Sequence, residues 1–371
     1  MGRRVVIGFG GLLAAAFAAV LVVTVAQPFA QPEVPDCTGA MRFDLTCHVR
    51  RYDTLARTAG PRAALVALKA SRDTDGYVRT ACHQLTHVIG RATGEQRSLA
   101  DAFADGPADG GTLCSGGYFH GIVESAMARI GPDAFGSRAG DVCAPLRETA
   151  SHAPLHYYCA HGMGHGLMGL HGSDIHAALA GCDLLDPWEA GHCSGGVFME
   201  NLTAVHNVQR PSRFVRPGDP LYPCAEIATR HRAECYDKQT SYAMFIAGDD
   251  VTQVFALCAA VDPADRTACD RGLGGKVAIL ANKYVTGLAE GAATSRAMCL
   301  DGPDPAARTD CVVGAVTAPI RDYGGTAQAD ALCAALRGDG LHDLCTSARE
   351  AAVATWQLPP ASDPLLTGHG H

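Results

Sequence analysis

The sequence predicts an all-α fold: disulfide-stapled helical-hairpin repeats, an α-solenoid or α/α toroid, following an N-terminal apolar helix. Three observations predict it. The sixteen cysteines recur in register, Asp-Pro pairs open segments of helical periodicity ahead of several of them, and no segment alternates apolar and polar residues as a half-buried strand would.

The register is read from spacing. Cys82, Cys159, Cys235 and Cys311 stand 77, 76 and 76 residues apart, and Cys114, Cys193, Cys269 and Cys345 stand 79, 76 and 76 apart. Cys182, Cys258 and Cys333 follow at 76 and 75. Each period of about 76 residues divides into two units of the size that forms helical hairpins in solenoids.

Taken in order, the chain opens with Arg3 and Arg4 ahead of an apolar run from Val5 to Val25. That run is longer than the usual core of a signal peptide and about long enough to span a bilayer. Residues 1–26 are therefore expected to be a signal anchor, or a signal peptide cleaved after Thr24-Val25-Ala26. Positive charge stays on the cytoplasmic side, so the remainder is extracytoplasmic in both cases: single-pass at the cell membrane, or secreted. Disulfides, and not thiolate metal ligands, are then the expected fate of the cysteines.

A Pro-rich tether occupies 27–36, and a Cys-rich repeat domain follows over 37–357. Its His-rich half covers 82–206 and its structural repeats 207–357, with 358–371 a flexible tail. Asp186-Pro187, Asp262-Pro263 and Asp304-Pro305 each place proline six residues ahead of a repeat cysteine. Asp caps the first free N–H groups of a helix, and Pro at the first helical position gives up a donor that would be orphaned there anyway. Cys193, Cys269 and Cys311 thus fall in the second turn of a helix. A turn such as Gly248-Asp249-Asp250 then leads to a second helix with Val251, Val254, Phe255 and Cys258 on one face. The glycines of the N-terminal repeats oppose this reading, at about 1 kcal/mol each inside a helix. The later repeats keep the same register, so the helices stand, and the glycines are expected to permit close backbone approach at a site.

Pairing follows from the repeat. A cysteine ending one hairpin is followed 10 to 16 residues later by one starting the next: Cys37/Cys47, Cys143/Cys159, Cys182/Cys193, Cys224/Cys235, Cys258/Cys269, Cys299/Cys311 and Cys333/Cys345. Cys82 and Cys114 remain as an eighth pair. Each such closure contributes about 2–4 kcal/mol.

The histidines carry the chemistry. On a helical wheel of about 100° per residue with the repeat cysteine at zero, His161 and His165 fall near 200° and 240°, His120 and Glu124 near 240° and 280°, and His192 near 260°. His83 and His87 fall outside this arc unless their repeat has lost one residue. Two histidines one turn apart can point both rings at one ion, and neutral imidazole suits Zn, Cu, Fe or Ni. A carboxylate in the set leans slightly toward Fe or Zn, while Met199 shares the arc with His192 and keeps copper in play. The expected metal ligands are His83, His87, His120, His161, His165 and His192, holding a divalent transition metal (Zn, Fe or Cu). Glu124 and Glu200 are the candidate catalytic bases, in an oxidoreductase or a hydrolase.

Other readings stay open at this point. A non-catalytic repeat scaffold would bind a protein or glycan partner along its concave face, and a toroid acting on polysaccharide would use His and Glu as acid and base without metal. Arg210, Arg213 and Arg216, in a loop with four prolines, suit a lid, a subsite for an anionic small molecule or an ordinary surface loop. The net charge of −8, without a basic stripe, excludes a nucleic-acid footprint. No phosphate loop, serine nucleophile elbow, dinucleotide fingerprint or haem-attachment motif is present.

Overall fold

A computed structural model describes residues 32–106, 113–147, 153–203, 212–283, 287–323 and 325–356. The apolar run at 5–25, Arg210 and the tail at 358–371 lie outside the described residues. Among those described, every regular element is a helix, and one isolated bridge joins Arg216 to Asp219. No described helix is long and apolar enough to cross a membrane.

The helices form two rows. The first row, each helix packing on the next, contains α3 (Gly76–Gln96), α5 (Gly117–Ile130), α8 (Ala153–Leu170), α10 (Pro187–Thr203), α11 (Thr229–Ile246), α13 (Pro263–Lys283), α15 (Pro305–Tyr323) and α17 (His342–Trp356). Ahead of it stand α1 (Leu45–Ala59) and α2 (Pro61–Thr74). Behind it lie the shorter α4 (Leu99–Ala104), α6 (Pro132–Val142), α7 (Ala144–Arg147), α9 (Ile175–Cys182), α12 (Val251–Ala259), α14 (Leu288–Leu300) and α16 (Ala327–Ala335).

The Asp-Pro starts are capped as the sequence requires. Asp186 accepts from the N–H groups of Trp188 and Glu189 at 3.0 and 3.1 Å, Asp262 from Ala264 at 2.9 Å, and Asp304 from Ala307 at 2.9 Å. All eight expected disulfides are present and no described cysteine is free. Several tie a second-row helix to the start of the next first-row helix, as Cys258–Cys269 ties α12 to α13.

Glycine sets how closely the first-row helices approach. A Cβ on Gly164 of α8 would fall onto the carbonyl oxygen of Cys193, and one on Gly196 of α10 onto that of His161. The two glycines are reciprocal, each admitting the other helix's backbone. Gly274 and Gly314 repeat the device between α13 and α15, against the carbonyls of Cys311 and Arg271. Close approach is therefore a property of the whole array, and not of the His-rich half alone.

The first row lies on the inside of a curve. Tyr158 of α8 donates to the carbonyl of Asp322 in α15 at 3.3 Å, and the ring of Tyr157 lies 5.0 Å from that of Trp356 in α17. The two halves thus share a filled interior, walled by the same helices that carry the histidines.

Candidate metal centre

Four histidines from three consecutive first-row helices meet in that interior: His83 and His87 from α3, His120 from α5 and His165 from α8. One ring nitrogen from each lies within 4.8 Å of the other three, close enough to hold one metal ion. His87, His120 and His165 are buried, and His83 stands at the half-buried edge.

The hydrogen bonds decide which nitrogens are free. His83 Nδ1 donates to the carbonyl oxygen of Cys114 at 2.7 Å, and a carbonyl can only accept. His87 Nδ1 donates to Glu124 Oε1 at 2.6 Å, while Arg91 donates to Glu124 Oε2 at 2.7 Å. His165 Nδ1 donates to Glu200 Oε2 at 2.8 Å, leaving His165 Nε2 buried without a partner. Both ring nitrogens of His120 are likewise buried and unpartnered.

One contact follows from these and is decisive for the chemistry. With Nδ1 protonated on both rings, His83 Nε2 and His87 Nε2 face each other at 3.1 Å as two lone pairs. Two acceptors at that distance need a cation between them. A proton is disfavoured: burial pushes His83 down from the ordinary histidine range, and burial with the neighbouring His83 and His165 pushes His87 well below it. His120 is pushed well below by burial and the same neighbouring rings. His83, His87 and His120 are therefore neutral at pH 7, the form that ligates metal. Two nitrogens on one tetrahedral ion with bonds of about 2.0–2.1 Å stand roughly 3.3 Å apart, close to the separation observed.

Other expected ligands are placed differently. His161 packs beside the group, its ring 4.9 Å from His120 and 5.2 Å from His165, with Nε2 3.5 Å from Met199 Sδ. His192 lies away from it, among Trp188 at 4.3 Å, Tyr157 at 5.0 Å and Trp356 at 5.6 Å. The wheel puts His192 at the right angle, but it precedes Met199 by seven residues on α10, about 10 Å along the axis. His83 and His87 join the group although the wheel leaves them outside the arc, because its zeros are not equivalent: Cys82 pairs forward with Cys114, whereas Cys159 pairs back with Cys143. Cys114, Ser115 and Gly116 have φ of 53°, 58° and 73°, and α5 begins only at Gly117, so angles counted from Cys114 do not carry into the helix.

Glu124 and Glu200 sit behind the rings as acceptors for Nδ1. Burial pushes the Glu200 carboxyl upward, but the hydrogen bond and charge of His165 outweigh it and the net shift is downward. Reading for ligands alone passes over Arg91 and the Cys114 carbonyl. It also passes over a charged group on the opposite wall: Lys238 lies 2.6 Å from Asp237, and Arg321 lies 2.7 Å from Asp322 and 3.5 Å from Asp237. On the same wheel Asp237 and Arg321 fall inside the histidine arc, at about 200° and 280°, while Lys238 and Asp322 fall outside it.

A serine–histidine–aspartate array also exists, and its geometry is structural. His231 bonds Ser194 Oγ at 2.7 Å and approaches Asp183 at 3.1 Å, but Ser194 is fully buried and donates to the Ala190 carbonyl. It joins α10 to α11. Of the loop arginines, Arg213 pairs with Asp174 at 2.5 Å and Arg216 stacks 3.3 Å over the Tyr222 ring.

No protein-family model, no curated protein and no solved structure shows a significant match to the chain. The functional reading therefore rests on the site itself.

Proposed function

We propose that this is an extracytoplasmic metal-binding protein whose first-row helices hold one transition-metal ion through His83, His87, His120 and His165. The observation that carries the reading is the facing pair of unprotonated Nε2 atoms at 3.1 Å within a group of four histidines, three of them buried. Glu124, Glu200 and the Cys114 carbonyl act as outer partners that fix which nitrogen each ring presents, as second-shell acceptors do for metal-bound histidine. Their occupation by ring N–H groups supports positioning, and not proton abstraction, as the role of both carboxylates.

Eight disulfides suit an oxidising compartment. The apolar run at 5–25 behind Arg3 and Arg4 is proposed as the export signal or membrane anchor that puts the domain there. Four imidazoles accept Zn, Cu or Fe, and the ion decides between the two reaction classes the donors admit: redox chemistry with Cu or Fe, hydrolysis through a metal-bound water with Zn.

The test is metal content by mass spectrometry on the disulfide-intact chain, as isolated and after reloading with Zn, Cu and Fe. A stoichiometric ion is expected in the wild type, absent from a folded His83→Ala/His87→Ala variant and retained in His192→Ala. Folded wild-type protein that takes up none of the three ions would sink the reading.

A further inference from the structure

His161 packs beside the four-ring group without belonging to it. It is buried. Its Nε2 faces no oxygen. The nearest partner is the thioether of Met199, at 3.5 Å. A thioether is a weak acceptor for an N–H but a good ligand for a soft ion.

His120 supplies the second observation. Its ring packs against both, 5.0 Å from His165 and 4.9 Å from His161, in a triangle of rings closed by the 5.2 Å between His161 and His165. Both of its nitrogens are buried and unpartnered. An ion in the four-histidine group uses only one of them, and a buried polar atom left unpaired costs about 1–3 kcal/mol. His161 is the neighbouring histidine ring outside the four-histidine group.

We infer that the histidine belt holds a second, softer metal subsite made by His161, Met199 and the remaining nitrogen of His120, and that its ion is Cu(I). Two imidazoles and a thioether form a three-donor set that selects Cu(I) over the harder divalent ions. Glu234 Oε2 and His161 Nδ1 border the same residue, lying 2.8 and 3.4 Å from where a Cβ on Gly195 would stand. Gly195 keeps that approach open from α10. If His120 bridges both ions it does so as imidazolate, and loading the second ion releases one proton.

The inference rests on the four-histidine reading for its first ion, so the experiment separates the two. Metal-free chain is loaded with Cu(I) under anaerobic conditions, desalted and counted, and X-ray absorption at the copper edge reports sulfur ligation. Wild-type protein is expected to hold two copper ions with a sulfur contribution. Met199→Leu, which preserves volume, and His161→Gln are each expected to fall to one ion and lose the sulfur signal. His83→Ala/His87→Ala is expected to keep one ion with the sulfur signal. A wild type that binds a single copper with nitrogen ligation alone overturns the second subsite and leaves the four-histidine centre standing. Two ions in Met199→Leu also overturn it. Protein that takes no copper overturns it too, and a parallel zinc count then decides the four-histidine reading separately.

Discussion

Glu124 holds one nitrogen of His87 and is itself held by Arg91, so a single carboxylate determines which face of that ring an ion meets. Removing its charge while keeping its shape should leave the ring in place with a weaker hold. Glu124→Gln is expected to lower metal affinity about 10–100-fold without abolishing it, as outer-shell changes do. His87→Ala removes a ligand and should abolish stoichiometric binding. Competition titration against a chromophoric chelator distinguishes these outcomes, and equal loss in both variants would count against the positioning role. The residue types of the site were legible in the sequence, since His83, His87, His120 and His165 all stand out as helix-spaced histidines. Their partners were not, because Arg91 and the Cys114 carbonyl acquire a role only when α3 and the residues before α5 meet.

At the scale of elements, the reciprocal glycines set the distance between helices and therefore between ligands. Gly164 lies against the Cys193 carbonyl, whereas a Cβ on Gly169, in the same helix α8, would meet nothing within 4 Å. This makes a matched pair. Gly164→Ala is expected to destabilise by about 1–3 kcal/mol or more through overpacking, and Gly169→Ala to stabilise by up to about 1 kcal/mol through helix propensity. Denaturant unfolding measures both, and equal effects would refute the close-approach role. Because Gly164 stands one residue before His165, its substitution should also weaken metal binding by moving α8 away from Glu200 on α10. The helices themselves were legible from caps and spacing. The glycines read as local exceptions in the His-rich half, until Gly274 and Gly314 showed the same contact between α13 and α15.

For the whole molecule, the disulfides differ in consequence. Cys258–Cys269 closes 11 residues between α12 and α13, far from the histidines. Cys82–Cys114 closes 32 residues and fixes the turn whose carbonyl holds His83. That turn carries Cys114 and Ser115 at left-handed φ, which costs L-residues roughly 1–2 kcal/mol each unless the surroundings impose it. Replacing either pair by serine should cost about 2–4 kcal/mol of stability. Only Cys82→Ser/Cys114→Ser should also lower metal affinity, at least about tenfold. Thermal unfolding and metal titration on both variants check this. Unchanged affinity after loss of Cys82–Cys114 would show that the turn holds His83 without its staple.

The sequence by itself determined the helical class, the two-helix unit, the capped starts and all eight disulfide partners. These depend on local spacing and on a repeat that copies itself along the chain, and spacing is written directly in residue numbers. Tertiary structure decided which histidines meet. A helical wheel records angle and discards height, so His192 shared the arc of His165 while lying about 10 Å from Met199's level on its own helix. The stagger between helices is set by glycine-to-carbonyl contacts, and the curvature brings α15 and α17 against α8. The glycines recur at fixed places after the repeat cysteines, but the curvature leaves no mark in the periodicity, because it arises from contacts between residues that the repeat does not relate.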